Sequence, residues 1–192
     1  LDEYFDNNPR IFGLSATIGG TDLIKKWICD DTEKVRLVSG LSSSKKTYYN
    51  IMHFEKTEDS DDKINPMVIK DILELTESNK ALIFCNSRVK VEALTYTLNE
   101  KLGYTKFYAH HSYIDKNLKE EIENLVKEDD SVCIVSTSTL ELGIDIGSVD
   151  LVIQLDCTFS VSSLKQRIGR TGRRKNQDRI SQIYTEEPES LL

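Results

Sequence analysis

Short apolar bursts alternate along this chain with amphipathic stretches. Ala81 to Cys85 (ALIFC) is apolar without a break, the pattern of a strand buried on both faces. Val132 to Val135 and Leu151 to Leu155 read as two more buried strands. Phe107 to Ala109 and Ile180 to Tyr184 complete the set. Between them the period changes to that of helices. Asn65 caps a helix begun by Pro66 and carrying Val68, Ile69, Ile72, Leu73 and Leu75. Asn86 or Ser87 caps another, with Val91, Leu94 and Leu98 at helical spacing and Gly103 at its end. A third starts at Asp115 with the stripe Leu118, Ile122, Leu125 and Val126, and Ser162 to Gly169 reads as a fourth. This alternation predicts an α/β domain, a doubly wound parallel sheet, from roughly Tyr48 onward.

The first forty residues fit that domain poorly. An apolar stretch at Ile11 to Leu14, a helix over Thr21 to Ile28 and an apolar stretch at Val35 to Val38 precede the polar connector Ser39 to Lys46. They read as the end of a preceding domain, which makes Ile11 to Leu14 a strand without neighbours. An orphan strand pairs with other edges, so a dimer or swap through residues 11–14 is expected. Trp27 and Tyr48 read as core or docking aromatics.

Composition narrows the class. The chain has 192 residues, 39% hydrophobic and 30% charged, which suits a folded domain. No run of eighteen apolar residues could span a bilayer, and the first residues resemble no signal peptide, so an intracellular, cytoplasmic protein with no membrane partner is expected. The four cysteines (Cys29, Cys85, Cys133, Cys157) lie far apart without Cys-x-x-Cys spacing. They read as reduced thiols, with no metal site. The adjacent His110 and His111 point to opposite faces of a strand and cannot pair on a metal, and one of them should pack inside.

Net charge is −7, yet Lys165 to Arg179 holds seven cations against the single anion Asp178. Within that segment Gln166 to Arg173 (QRIGRTGR) repeats arginine every three residues around two glycines. Guanidinium groups match phosphate oxygens in bidentate fashion and stabilise charge on a transferring phosphoryl group. The same spacing also suits a generic basic surface loop.

This octapeptide resembles motif VI of the superfamily 2 helicases, and other segments resemble further motifs in the family's order. Gly13 to Gly19 (GLSATIG) resembles motif III, Ala81 to Arg88 (ALIFCNSR) motif IV, and Ser136 to Gly147 (STSTLELGIDIG) motif V. The wording, with "HHS", "VDLVIQ" and "QRIGR", is most similar to the Lhr-type (long helicase-related) DExH helicases. Arg173 departs from it, because Lhr-type proteins often carry histidine there.

The resemblance implies two RecA-like domains that sandwich ATP with Mg²⁺ and hold a single strand of DNA or RNA across their tops. Residues 1–40 would be the C-terminal tail of the first domain, 41–47 a linker and 48–192 the second. The upstream RecA-like domain would be a partner in the same protein. Gln166, Arg170 and Arg173 would face the triphosphate, the two arginines as fingers, while Arg167 would tie motif VI to the acidic motif of the first domain. Gly143 would permit a tight turn, and Asp145 would approach the nucleotide unless it is an ordinary loop carboxylate. Ser15 and Thr17 would couple nucleotide state to strand grip.

Strand contacts would come from loops beyond the carboxyl ends of the strands. These are Asn86, Ser87 and Arg88; His111 and Ser112; Thr137 and Ser138, with Tyr113 as the candidate aromatic. Hydroxyls, amides and backbone N–H groups hold phosphates without reading sequence. Asn86 or Ser87 equally serves as a helix cap, and Ser138 or Thr139 as a turn residue. The sequence contains neither a Gly-x-x-x-x-Gly-Lys-Ser/Thr loop nor Asp-Glu-x-His nor Asp-Glu-Ala-Asp. Taken alone, the chain is therefore expected to bind no tight cofactor and to hydrolyse no ATP. A duplex translocase and a non-catalytic nucleic-acid-binding module share much of this chemistry. A dinucleotide-dependent oxidoreductase does not, since no Gly-x-Gly-x-x-Gly follows a strand.

Overall fold

The computed structural model describes residues 11–14, 20–38, 45–54, 64–141, 146–172 and 177–186. The chain divides into two compact units, Leu1–Ser43 and Ser44–Leu192.

In the first unit, α1 (Thr21–Ile28) forms where expected, followed by a single 3₁₀ turn at Thr32–Lys34. The described part of α1 buries no residue, and Trp27, expected in a core or against a partner, is 86% exposed. Residues 11–14 and 35–38 are irregular rather than strands. An isolated strand has no ladder to repay the ordering of its backbone. The pairing expected of residues 11–14 therefore has no preformed strand to act through.

The second unit is built on six parallel strands: β1 (Thr47–His53), β2 (Ala81–Phe84), β3 (Phe107–His110), β4 (Cys133–Ser136), β5 (Leu151–Leu155) and β6 (Arg179–Thr185). Their order is β1-β6-β5-β2-β4-β3. Among the described residues four helices connect them: α2 (Pro66–Thr76), α3 (Arg88–Leu102), α4 (Lys116–Glu128) and α5 (Val161–Ile168).

Successive strand residues point to opposite faces, so β2 feeds two cores. Ala81 and Ile83 pack with Val68, Ile72, Val91 and Leu94 of α2 and α3. Leu82 and Phe84 pack with Ile122 and Val126 of α4. Helices thus cover both faces of the parallel sheet. Leu118, expected in the α4 stripe, is instead exposed near the helix start.

The helix starts follow their capping residues. Asn65 Oδ1 accepts from the Met67 N–H at 2.9 Å, Ser87 Oγ from Lys90 at 3.2 Å, Asp115 Oδ1 from Asn117 at 2.9 Å and Ser160 Oγ from Ser163 at 3.1 Å. Gly103 ends α3 at φ 74°, in the left-handed region. Two lysines hold helix C-termini from inside the fold. Lys80 donates to the Val126 carbonyl of α4 and lies 3.3 Å from Asp130. Lys106 donates to the carbonyls of Thr76 and, at 3.3 Å, Glu77 at the end of α2. Each places a cation where a helix exposes unpaired carbonyls.

Strand β1 is the element the sequence hid. It pairs with β6 in register from Thr47↔Arg179 to His53↔Thr185. As an edge strand it is exposed along nearly its whole length, so Thr-Tyr-Tyr-Asn-Ile-Met-His shows neither an apolar run nor a clean alternation.

Candidate functional site

Because every strand is parallel, the loops after their carboxyl ends share one edge of the sheet. The chain leaves β2 toward β4 and β3, then crosses back to β5 and β6 on the other side of β2. Crevices at such reversals are where open α/β sheets hold ligands.

Helix α5 carries the start of the arginine-rich segment, and its central feature is a buried guanidinium. Arg167 is 2% exposed. Its Nε donates to Glu141 Oε1 at 2.8 Å, Nη2 reaches the same oxygen, and Nη1 donates to Gln154 Oε1 at 2.6 Å. The guanidinium carbon lies 4.7 Å from the centre of the Phe84 ring. Ser163 Oγ donates to the other Glu141 oxygen at 2.6 Å. Charge-assisted bonds on most sides of both groups are what a buried ion pair needs to offset its desolvation. Arg167 therefore ties α5 to β2, β5 and the segment after β4 of its own domain. Within this domain the guanidinium meets Glu141 and Gln154.

Arg170 is also buried, and its Nη2 donates to the Glu141 carbonyl at 2.6 Å, on the backbone that leads into residues 142–145. Gln166 is half-buried on α5. Gly172 turns the chain at φ 65°, and a Cβ there would lie 2.9 Å from Arg179 Cγ and 3.0 Å from the carbonyls of Gln177 and Asp178, so only glycine fits. Ser15, Thr17, Gly143, Asp145 and Arg173 lie outside the described residues.

The loop residues expected to meet a strand cluster beside α3. Asn86 Nδ2 donates to the Cys157 carbonyl at 2.9 Å, which joins the loop after β2 to the loop after β5. Ser87 caps α3, so its hydroxyl is engaged. The Arg88 guanidinium lies 4.0 Å from the Tyr113 ring centre. Ser112 is exposed, and its carbonyl accepts from Lys119 Nζ at 3.1 Å. Ser138 is exposed in a 3₁₀ turn, while Thr137 is half-buried and donates its N–H to the His110 carbonyl at 3.3 Å.

The two histidines do point apart, but both are buried. His110 contacts Thr139 Oγ1 and Glu123 Oε1, each at 3.0 Å, and His111 contacts Glu92 Oε1 at 2.6 Å. Burial pushes the His110 imidazole below its usual range, and Glu123 opposes the shift without cancelling it. The His111 ring is taken up by Glu92 and the Tyr113 N–H. Through these two contacts it holds its turn.

Sequence reasoning missed Glu141, Gln154 and Glu92. Gln154 left a trace as the one polar residue of an otherwise apolar strand, LVIQL. A buried amide of this kind calls for partners. Glu92 left none, because it reads as one more surface charge of a helix.

A parallel α/β sheet with arginine-bearing α5 at its reversal defines a RecA-like domain. The profile of the helicase conserved C-terminal domain matches residues 65–175, and the chain belongs to that family. Relatives it matches include helicases of the Lhr type. It is 34% identical over 174 residues to an ATP-dependent helicase Lhr-Core protein 2 of Thermococcus barophilus, and 36% identical over 171 residues to an ATP-dependent helicase Lhr-Core of Methanocaldococcus jannaschii. Each match covers 86% of this chain and 20% of the relative. The chain thus spans about a fifth of the length of these curated relatives. Among solved structures, Mycobacterium smegmatis helicase Lhr bound to ssDNA and AMP-PNP superposes with a TM-score of 0.65 at 31% identity, over 77% of this chain and 20% of that one. The DUF1998 helicase MrfA shares the fold, with a TM-score of 0.61 at 23% identity over 74% of this chain and 20% of that one.

Proposed function

We propose that this chain supplies the second RecA-like lobe, with the tail of a first, of an ATP-dependent helicase that moves along single-stranded nucleic acid. The carrying observation is the Arg167–Glu141 lock. It joins α5, which bears Gln166 and leads into the turn that bears Arg170, to the segment that follows Thr137 and Ser138. Groups proposed to meet a nucleotide and groups proposed to meet a strand therefore belong to one rigid piece. A change in either must be felt by the other.

Among the described residues no group of three or more His, Cys, Asp or Glu converges to hold a metal, and the sequence has no phosphate-cradling loop. These residues fit a lateral contribution to Mg²⁺-ATP held mainly by another domain. Bound there, ATP would supply the β–γ phosphoanhydride that water cleaves. In this reading Gln166 orients the phosphate end, Arg170 leaves the Glu141 carbonyl to meet it, and Arg173 acts beside Arg170. Asp145 and Gly143 shape the adjoining turn, and Ser15 and Thr17 carry the coupling from the first lobe. Asn86, Ser87, Arg88, Ser112, Thr137 and Ser138 offer amide, hydroxyl, guanidinium and backbone groups to the strand. Lhr of M. smegmatis holds single-stranded DNA and AMP-PNP, which supports this division of labour.

ATP turnover of the intact protein, wild type beside Arg170→Ala, with single-stranded DNA, with single-stranded RNA and with neither, tests the reading. Stimulation by one polymer, lost on the order of 10³-fold in the variant while ATP still binds, is expected. Unchanged turnover in the variant would remove Arg170 from the chemistry. A non-catalytic binding module is the second reading, favoured by the inward hydrogen bond of Arg170, and absence of turnover by wild type under all conditions would select it.

A further inference from the structure

Among the exposed aromatics, Tyr113 differs in how it is held. The residue is 77% exposed, and the Arg88 guanidinium lies over its ring at 4.0 Å from the centre. Its backbone is fixed on both sides. The Tyr113 N–H donates to His111 Nδ1 at 3.3 Å, and the Ile114 N–H donates to the His111 carbonyl at 3.2 Å. For Nδ1 to accept, the imidazole proton must sit on Nε2, where Glu92 Oε1 receives it at 2.6 Å. Arg88 and Glu92 are four residues apart on α3, so a single helix face grips the ring through one and the turn beneath it through the other.

We propose that Tyr113, backed by Arg88, is a stacking platform for one nucleobase of a single strand. The proposal rests on the nucleic-acid reading above and adds to it the part of the nucleotide that this loop takes. The amides and hydroxyls around it suit phosphates rather than the flat face of a base, and the Arg88 guanidinium already lies over the Tyr113 ring. Tyr113 presents a π-surface at the carboxyl edge of the sheet, in the same cluster as Asn86 and Ser112. Stacking suits every base, so it adds grip without sequence preference. A guanidinium behind the ring adds a cation–π contact, and the anchored turn leaves little motion to be lost on binding. His111 and Glu92 are positioning residues that act through Tyr113.

The test titrates the intact protein with oligothymidylate, oligouridylate and an abasic deoxyribose oligomer of the same length at fixed low salt. Tyr113→Ala should weaken binding of a base-bearing oligomer on the order of 10-fold, with the abasic oligomer unaffected. Tyr113→Phe should retain binding, since it keeps the ring, and Tyr113→Leu should not. Glu92→Ala should lose part of the same base-dependent affinity, and Glu92→Gln, which can still accept from His111, should restore it. Loss on DNA alone or RNA alone supports the platform and tells which sugar it follows. Wild-type binding that Tyr113→Ala leaves unchanged, or weakens equally for abasic and base-bearing strands, overturns it while leaving the nucleic-acid reading intact. Failure of wild type to bind any of the three overturns the reading itself.

Discussion

Arg167 and Glu141 form an ion pair that fastens α5 to the segment following β4, with Gln154 and Ser163 adding a hydrogen bond to each partner. Removing one member of such a pair leaves the other charged, desolvated and unpartnered. Arg167→Met should therefore cost about 3–5 kcal/mol of stability. The double variant Arg167→Met/Glu141→Gln should lose less than the two single losses combined. Urea unfolding of all four forms measures the coupling, and additive losses would mean that the pair is not the lock described.

Gly172 has no room for a side chain. It combines a positive φ of 65° with backbone oxygens 3.0 Å from where a Cβ would stand. Gly172→Ala should destabilise the domain by more than about 1 kcal/mol. It should also displace the start of β6, because atoms of Gln177, Asp178 and Arg179 are the ones met. Amide hydrogen exchange at residues 179–183 reads that displacement against the far strands β3 and β4, which should keep their protection.

His110 makes stability fall on the acid side. Burial holds its folded pKa below the ordinary value, so above about 6.5 the ring is neutral in both states and adds no pH dependence. As the pH drops below that, the unfolded chain takes up a proton that the folded chain refuses, and stability declines until the folded value is passed. Denaturant midpoints of wild type between pH 7.5 and 5 should therefore fall more steeply than those of His110→Gln. Equal slopes would show that Glu123 compensates fully.

The sequence was most legible where one physical demand acted alone. Buried central strands needed apolar runs and helix starts needed capping oxygens, so β2, β5, α2 and α3 could be drawn within a residue or two. Where two demands overlapped, the signal blurred. Edge strand β1 serves water on both faces, and its pattern follows no period. Arg167 looked like one more phosphate-seeking arginine because its partners, Glu141 and Gln154, lie 26 and 13 residues away. Their meeting depends on the crossing of the sheet order over β2, which no local pattern records. The spacing of arginines indicated anion chemistry without telling which guanidinium would be spent inside the fold.

The four cysteines give an independent reading of the core. Burial pushes the Cys85 thiol up to about 12, and it raises Cys133 as well. Cys157 is exposed at the loop held by Asn86, and Cys29 is half-buried. Alkylation proceeds through the thiolate, so both burial and a raised pKa slow it. At pH 8, iodoacetamide followed by peptide mass mapping should modify Cys157 first. Cys85 and Cys133 should react together, and only at the rate at which the sheet unfolds, since one directly follows β2 and the other begins β4 within one core. Fast modification of Cys85 alone would instead mean that the carboxyl end of β2 opens locally. That end carries Asn86 and Ser87, so such opening would place the mobility of the domain at its proposed strand-binding edge.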